Sequence, residues 1–408
     1  MVVSVARISA LLPPAGPLRR FTFISLLDAT GTGLYLAVSV LYFTRFVGLP
    51  AGLVALGLSV AGLAAMAAAA TFGSIGDRYG YRQAWAALTI VQALAYAAYP
   101  FIRSFPLFLV LVTVAAVANA ATSPLRAAYL SRIAGPAQRV RARAYNQAVA
   151  NAGFAIGALG AGIALDVGTR AAYLTLVLAN AVSYAAVAAV VLTLPAGSPA
   201  PPRPDQHDAR GVLHDRGYLL FCVLNGLLMT YGAILTVALP LWIVRDTRAP
   251  TWTVAGAFAL STVLAVALQV PASRGAETVP GAGRAILRSG GLLLLACLVF
   301  AVTGTFGALG AAVALAAACA ALTLGEVLQS AGAWGLSYAL APEHRQGQYL
   351  GAFSMGTRIY DTAGPVLVTA LVLGLGAIGW VLLGLLFLGL AAGVTATAGW
   401  AERRRPRS

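Results

Sequence analysis

Residues 73–82 read GSIGDRYGYR and lie between two apolar runs, about 51–72 and 84–102. Each run approaches the ~20 apolar residues that a helix needs to span a bilayer. The decapeptide is therefore read as a loop between two membrane spans. Working outward from it, the chain repeats the pattern. Of its 408 residues, 60% are hydrophobic and only 10% charged, where a soluble domain carries about 25% charge. Composition thus excludes an ordinary globular protein and points to a polytopic membrane protein.

Twelve apolar segments can be placed, at about 20–44, 51–72, 84–102, 105–130, 143–165, 171–194, 217–244, 251–272, 285–304, 309–338, 350–373 and 380–399. Between the sixth and seventh lies a stretch rich in proline and charge, PAGSPAPPRPDQHDARGVLHDR at 195–216, which reads as a linker. The prediction is an all-α membrane protein of twelve transmembrane helices in two pseudo-symmetric six-helix halves, 1–194 and 217–408, joined by 195–216. The halves repeat. Arg45 and Pro50 match Arg245 and Pro250, and Pro136 and Arg139 match Pro342 and Arg345. Duplicated halves are a transporter architecture, with the binding site expected at the bilayer midplane between them.

Charge placement orients the chain. All 27 basic residues are Arg. With the N-terminus inside, 20 of them fall on the cytoplasmic side and 5 outside, so the positive-inside rule puts both termini in the cytoplasm of a cell's inner membrane. The net charge of +15 is then a topological signal and a counterpart to anionic membrane lipid, not a nucleic-acid footprint. Pro13, Pro14 and Pro17 interrupt the N-terminal stretch where a cleavable signal would need a continuous apolar region.

Catalytic chemistry finds no support. Without Lys there is no P-loop and no Schiff-base lysine. The three His have no metal-ligand spacing, and Cys222, Cys297 and Cys319 lie far apart inside apolar segments. No cofactor or metal is implied, and the protein is not expected to be an enzyme.

The loop resembles the signature of the major facilitator superfamily, G-x-L-a-D-R-x-G-R-[RK]. Gly73, Gly76, Asp77, Arg78, Gly80 and Arg82 match, Ile75 stands for the usual Leu, and Tyr81 departs where a basic residue is common. The resemblance implies a cytoplasmic gate, in which Asp77 accepts charge-assisted hydrogen bonds and the glycines allow close approach and a tight turn. GFAIGALGAG at 153–162 has the glycines of an exporter motif in this family but Ala158 instead of Pro. Small-residue packing between helices explains those glycines equally well. The whole chain also resembles actinobacterial facilitators commonly described as drug or metabolite exporters.

An ionisable group near the bilayer centre is a functional candidate by default. Asp28 lies eight residues into the first segment and Glu326 at similar depth in the tenth. Asn225 and Asn119 are their approximate counterparts in the repeat. Arg358 and Asp361 are three apart in the eleventh segment and share a helical face. Arg358 is read either as neutralised by Asp361 or as bridging to Glu326 or Asp28. Arg126, nearer the cytoplasmic end of its segment, reads as a snorkelling residue. These groups suit protons and a cationic or zwitterionic substrate. The expectation is a monomeric, proton-coupled exporter of an amphipathic small molecule working by alternating access. Uptake of a nutrient, or a sensor on a transporter scaffold, are the alternatives.

Overall fold

The computed structural model describes residues 16–135, 138–195, 212–250 and 252–403. Among these residues the secondary structure is helical throughout, with fourteen α-helices and no strand. The first six are α1 (Pro17–Leu41), α2 (Ala51–Tyr79), α3 (Tyr81–Ala97), α4 (Phe105–Ala134), α5 (Arg139–Val167) and α6 (Arg170–Leu192). The remainder are α7 (Arg216–Leu228), α8 (Leu239–Asp246), α9 (Trp252–Ala272), α10 (Val279–Val302), α11 (Ala308–Ala339), α12 (Gln346–Thr357), α13 (Ile359–Leu375) and α14 (Ala377–Arg403).

The predicted apolar segments each fall on a helix or a broken pair of helices. The seventh comprises α7 and α8. Between them lie a 3-10 turn, Met229–Tyr231, and a π turn, Ile234–Ala238. Pro240 lies two residues beyond; having no N–H, it leaves the carbonyl four residues back without a helical donor, and the ladder widens there. The eleventh segment comprises α12 and α13, which meet at Arg358.

Among the described residues, eight helices are long and apolar enough to cross a membrane, or nine if the bent pair Pro17–Leu36 and Val38–Phe46 is one span. The other three segments are α2, α5 and the α12–α13 pair. Gly52–Ala65 and Ala363–Leu375 are shorter apolar helices within them, and α5 opens on Arg139, Arg141 and Arg143. Large apolar side chains such as Leu63, Leu94, Val182, Val263 and Leu309 remain mostly exposed. On a soluble protein that surface would be costly; on a membrane helix it is the lipid-facing side.

The chain forms two compact units. One gathers the described residues of Met1–Pro136, Tyr145–Gln206 and Glu343–Ser354; the other gathers those of Ala137–Ala144, His207–Pro342 and Met355–Ser408. Helices α5 and α12 each divide between the units. Of the expected linker, residues 196–211 lie outside the described residues.

Glycines set the closest helix crossings. In the first unit, a Cβ on Gly153 would sit 2.8 Å from the Leu26 carbonyl oxygen, and one on Gly157 would sit 3.0 Å from Gly33 Cα. The glycine run in α5 therefore lies directly on the backbone of α1. In the second unit, a Cβ on Gly356 would meet the Cys222 carbonyl oxygen at 2.6 Å, bringing α12 onto α7. Without a hydrophobic drive between helices in lipid, such backbone approach supplies the packing.

Candidate functional site

In the first unit the polar centre is built from α1, α4 and α5. Asp28 forms an ion pair with Arg126. The other arm of the guanidinium donates to Ser25 Oγ at 3.3 Å. Ser25 in turn donates to the Asn146 side-chain oxygen, and the Arg126 guanidinium lies 5.8 Å from the Trp85 ring centroid. Arg126 therefore does not snorkel. Helix α4 runs on to Ala134, four residues past the expected end of its segment. That places Arg126 eight residues, or ~12 Å, inside the helix, close to the depth of Asp28.

Asn119 is one step removed. Its amide donates to Gln92 Oε1 at 3.3 Å. Toward the other end of α1, Thr32 and Tyr184 share a hydrogen bond of 3.4 Å. Tyr184 stacks on Tyr96 with ring centroids 5.3 Å apart, and Tyr35 meets Tyr96 edge-on at 4.9 Å.

The second unit holds a neutral counterpart. Gln329 in α11 donates to Asn225 Oδ1 in α7 at 2.8 Å, and the Tyr231 hydroxyl donates to Gln329 Oε1 at 3.0 Å. Glu326 lies one turn before Gln329. It is half-buried, and among the described residues it has no hydrogen bond or ion pair. Arg358 sits at the α12–α13 break. The side chain of Asp361 lies outside the described residues.

Thus Asp28 and Arg126 are brought together, as are Asn225 and Gln329, with Glu326 beside the second pair. Sequence reading missed Arg126, Gln329, Gln92 and Asn146 as partners. The available signal was their polarity inside apolar helices, since a polar group at membrane depth needs a partner. Cys222, Cys297 and Cys319 are buried and unbonded to one another.

The decapeptide turns where expected. Gly80 separates α2 from α3 with φ of 87°, a conformation that only glycine takes freely. Gly76 is buried against Tyr81 and Leu125, with no room for a side chain. Arg82 donates to the carbonyl oxygens of Leu194 at 2.9 Å and Leu192 at 3.4 Å. Tyr81, the position that departs from the family pattern, is buried under the Arg132 guanidinium, 4.4 Å from its ring centroid. The side chains of Gly73, Asp77 and Arg78 lie outside the described residues.

The fold is shared with solved transporters. The human organic anion transporter MFSD10 (TETRAN) is similar with a TM-score of 0.70 and 16% identity, over 93% of this chain and all of that one. A bacterial homologue of the iron transporter ferroportin in an outward-facing state gives 0.73 and 14% identity, over 95% of this chain and all of that one. The proton:xylose symporter XylE gives 0.63 and 14%, over 95% and 96% of the two chains. No curated protein matches the sequence. The family model of the Major Facilitator Superfamily matches residues 21–365, most of the chain and both compact units. The protein belongs to the Major Facilitator Superfamily and is a membrane transporter, not an enzyme.

Proposed function

We propose that this transporter is a proton-coupled exporter of an amphipathic small molecule, such as a drug, a secondary metabolite or a small peptide. It works by alternating access between its two six-helix halves, as a monomer in the inner membrane with both termini cytoplasmic. Asp28 and Glu326 carry the protons. Asn119, Asn225, Arg358 and Asp361 contribute to the coupling and substrate sites, and the 73–82 loop with Asp77 serves as the cytoplasmic gate.

The observation that carries this reading is the contrast between the two acids. Glu326 has no charge partner among the described residues, so its ionised form is costly at membrane depth and a proton relieves that cost. Asp28 is paired with Arg126, so a proton reaching it releases the guanidinium. A substrate cation offers both acids the same relief that a proton does, and that competition is the exchange. Uptake of a nutrient, by symport or uniport, is the second reading; Ala158, where the exporter motif has Pro, keeps it open.

Inside-out vesicles with an acidic interior and a pH-sensitive dye test the reading. Amphipathic cations are added to wild type, Asp28→Asn and Glu326→Gln. A compound that collapses the gradient only with wild-type protein supports proton-coupled export. Radiolabelled compound that enters equally in all three, with no proton movement, overturns it.

A further inference from the structure

We infer that one face of α1 carries a file of hydroxyl groups that delivers protons to Asp28 from the Arg45 end of the span, within the first unit. The inference rests on the proposed role of Asp28 as a proton carrier. Asp28, Thr32, Tyr35, Ser39 and Tyr42 follow one another at steps of four, three, four and three residues. At 3.6 residues per turn they share a strip about 80° wide, so the spacing lines them up along one side of the helix. Tyr35, Ser39 and Tyr42 are each buried, at 6% exposure or less.

Packing does not require these groups. Tyr35 meets Tyr96 and Tyr99 edge-on, with ring centroids 4.9 and 5.9 Å apart, and Tyr96 stacks on Tyr184. Phe would fill the same space without the cost of desolvating a hydroxyl. The repeat makes the same point. Counted in the same steps from Asn225, the second half has Met229, Gly232, Thr236 and Leu239. There a first span is built with one hydroxyl at those positions. The continuous file goes with Asp28, where α7 carries Asn225.

A hydroxyl both donates and accepts, which is what a relay needs. Thr32 and Tyr184 share a hydrogen bond of 3.4 Å. Successive steps along α1 rise ~4.5–6 Å, a gap that one bridging water closes. Ser39 donates to the Leu36 carbonyl at 3.3 Å, and rotation about its χ1 turns that proton into the file. In each transfer a hydroxyl takes a proton on its oxygen and gives its own to the next group. Only Asp28 changes charge, and Arg126 is released.

The file ends at the ion pair. Beyond Asp28, Ser25 is held by Asn146 and, at 3.3 Å, by Arg126. A fixed guanidinium repels a proton that would pass further. The arrangement is a half-channel: it loads Asp28 from one side and does not leak across the span.

The test follows Asp28 itself in the full chain reconstituted into lipid. Time-resolved infrared spectroscopy after a pH drop records the carbonyl stretch of the protonated carboxyl, assigned by its loss in Asp28→Asn. Tyr35→Phe and Ser39→Ala are compared with wild type. They remove a hydroxyl seven and eleven residues from Asp28, and the second decides the matter if the first fails to fold. The rate of protonation should fall at least tenfold in each, while the pH midpoint of the band stays at its wild-type value. A merely structural role would not slow the rate at a fixed midpoint. Wild-type rates in both variants overturn the inference and leave the proposed coupling standing. A wild-type protein that shows no Asp28 band at any pH overturns both.

Discussion

Asp28 of α1 and Arg126 of α4 form an ion pair with both side chains only partly withdrawn from solvent, at 14% and 20% exposure. At the corresponding crossing in the second unit, Asn225 of α7 and Gln329 of α11 are joined by a neutral hydrogen bond. One architecture thus carries a charged tie in one unit and an uncharged tie in the other. Only the first can be opened by a proton.

The charged tie predicts strong coupling. Asp28→Asn and Arg126→Gln should each destabilise the protein, because each leaves the other group uncompensated. Loss of one partner of a fully buried pair costs ~3–5 kcal/mol; partial exposure here reduces that to roughly 1–3 kcal/mol. The double variant should be less destabilised than the sum of the singles. A double-mutant cycle on unfolding in detergent measures the difference, and strictly additive losses would show the pair to be energetically idle.

Glu326→Gln should behave differently. No ion pair among the described residues is lost, so thermal stability should hold or rise by up to ~1 kcal/mol as a membrane-depth charge is removed. Under the proposed mechanism, proton-driven transport should fall by at least tenfold while downhill exchange of the same compound persists. Vesicle flux with and without a pH gradient separates the two.

The α1–α5 crossing tolerates no bulk. Gly157→Ala places a Cβ 2.8 Å from the Leu34 amide nitrogen, and overpacking of this kind costs ~1–3 kcal/mol. Gly62→Ala is the matched control, because nothing lies within 4 Å of its Cβ position. Melting temperatures in detergent should drop for the first and stay within error for the second.

At the turn, Gly80→Ala forces a side chain into φ 87°, ψ 134°. Backbone strain there costs ~1–3 kcal/mol. The variant should unfold earlier and become more open to proteolysis between α2 and α3. Equal protease sensitivity to wild type would show that the turn adapts without strain.

How much was legible beforehand follows from what each feature depends on. Segment 105–130 was visible as an apolar run, yet its helix continues to Ala134, and that single extra turn changes the role assigned to Arg126. The glycines of 153–162 could be read either as a motif or as packing; the α1 backbone lying against Gly153 and Gly157 makes them packing. Tyr81 looked like a missing charge, while Arg132, 51 positions along the chain, supplies a guanidinium to that spot.

The sequence by itself determined the membrane setting, the helical spans, the turn at 73–82 and the duplication. These rest on local hydropathy, glycine stereochemistry and self-similarity, which the order of residues carries directly. Only the tertiary structure decided that Asp28 meets Arg126, that Gln329 ties Asn225, and that Arg82 holds the carbonyl end of α6. Those pairings depend on where helices distant in sequence cross, and a one-dimensional pattern fixes depth along a helix but not the face turned to its neighbour.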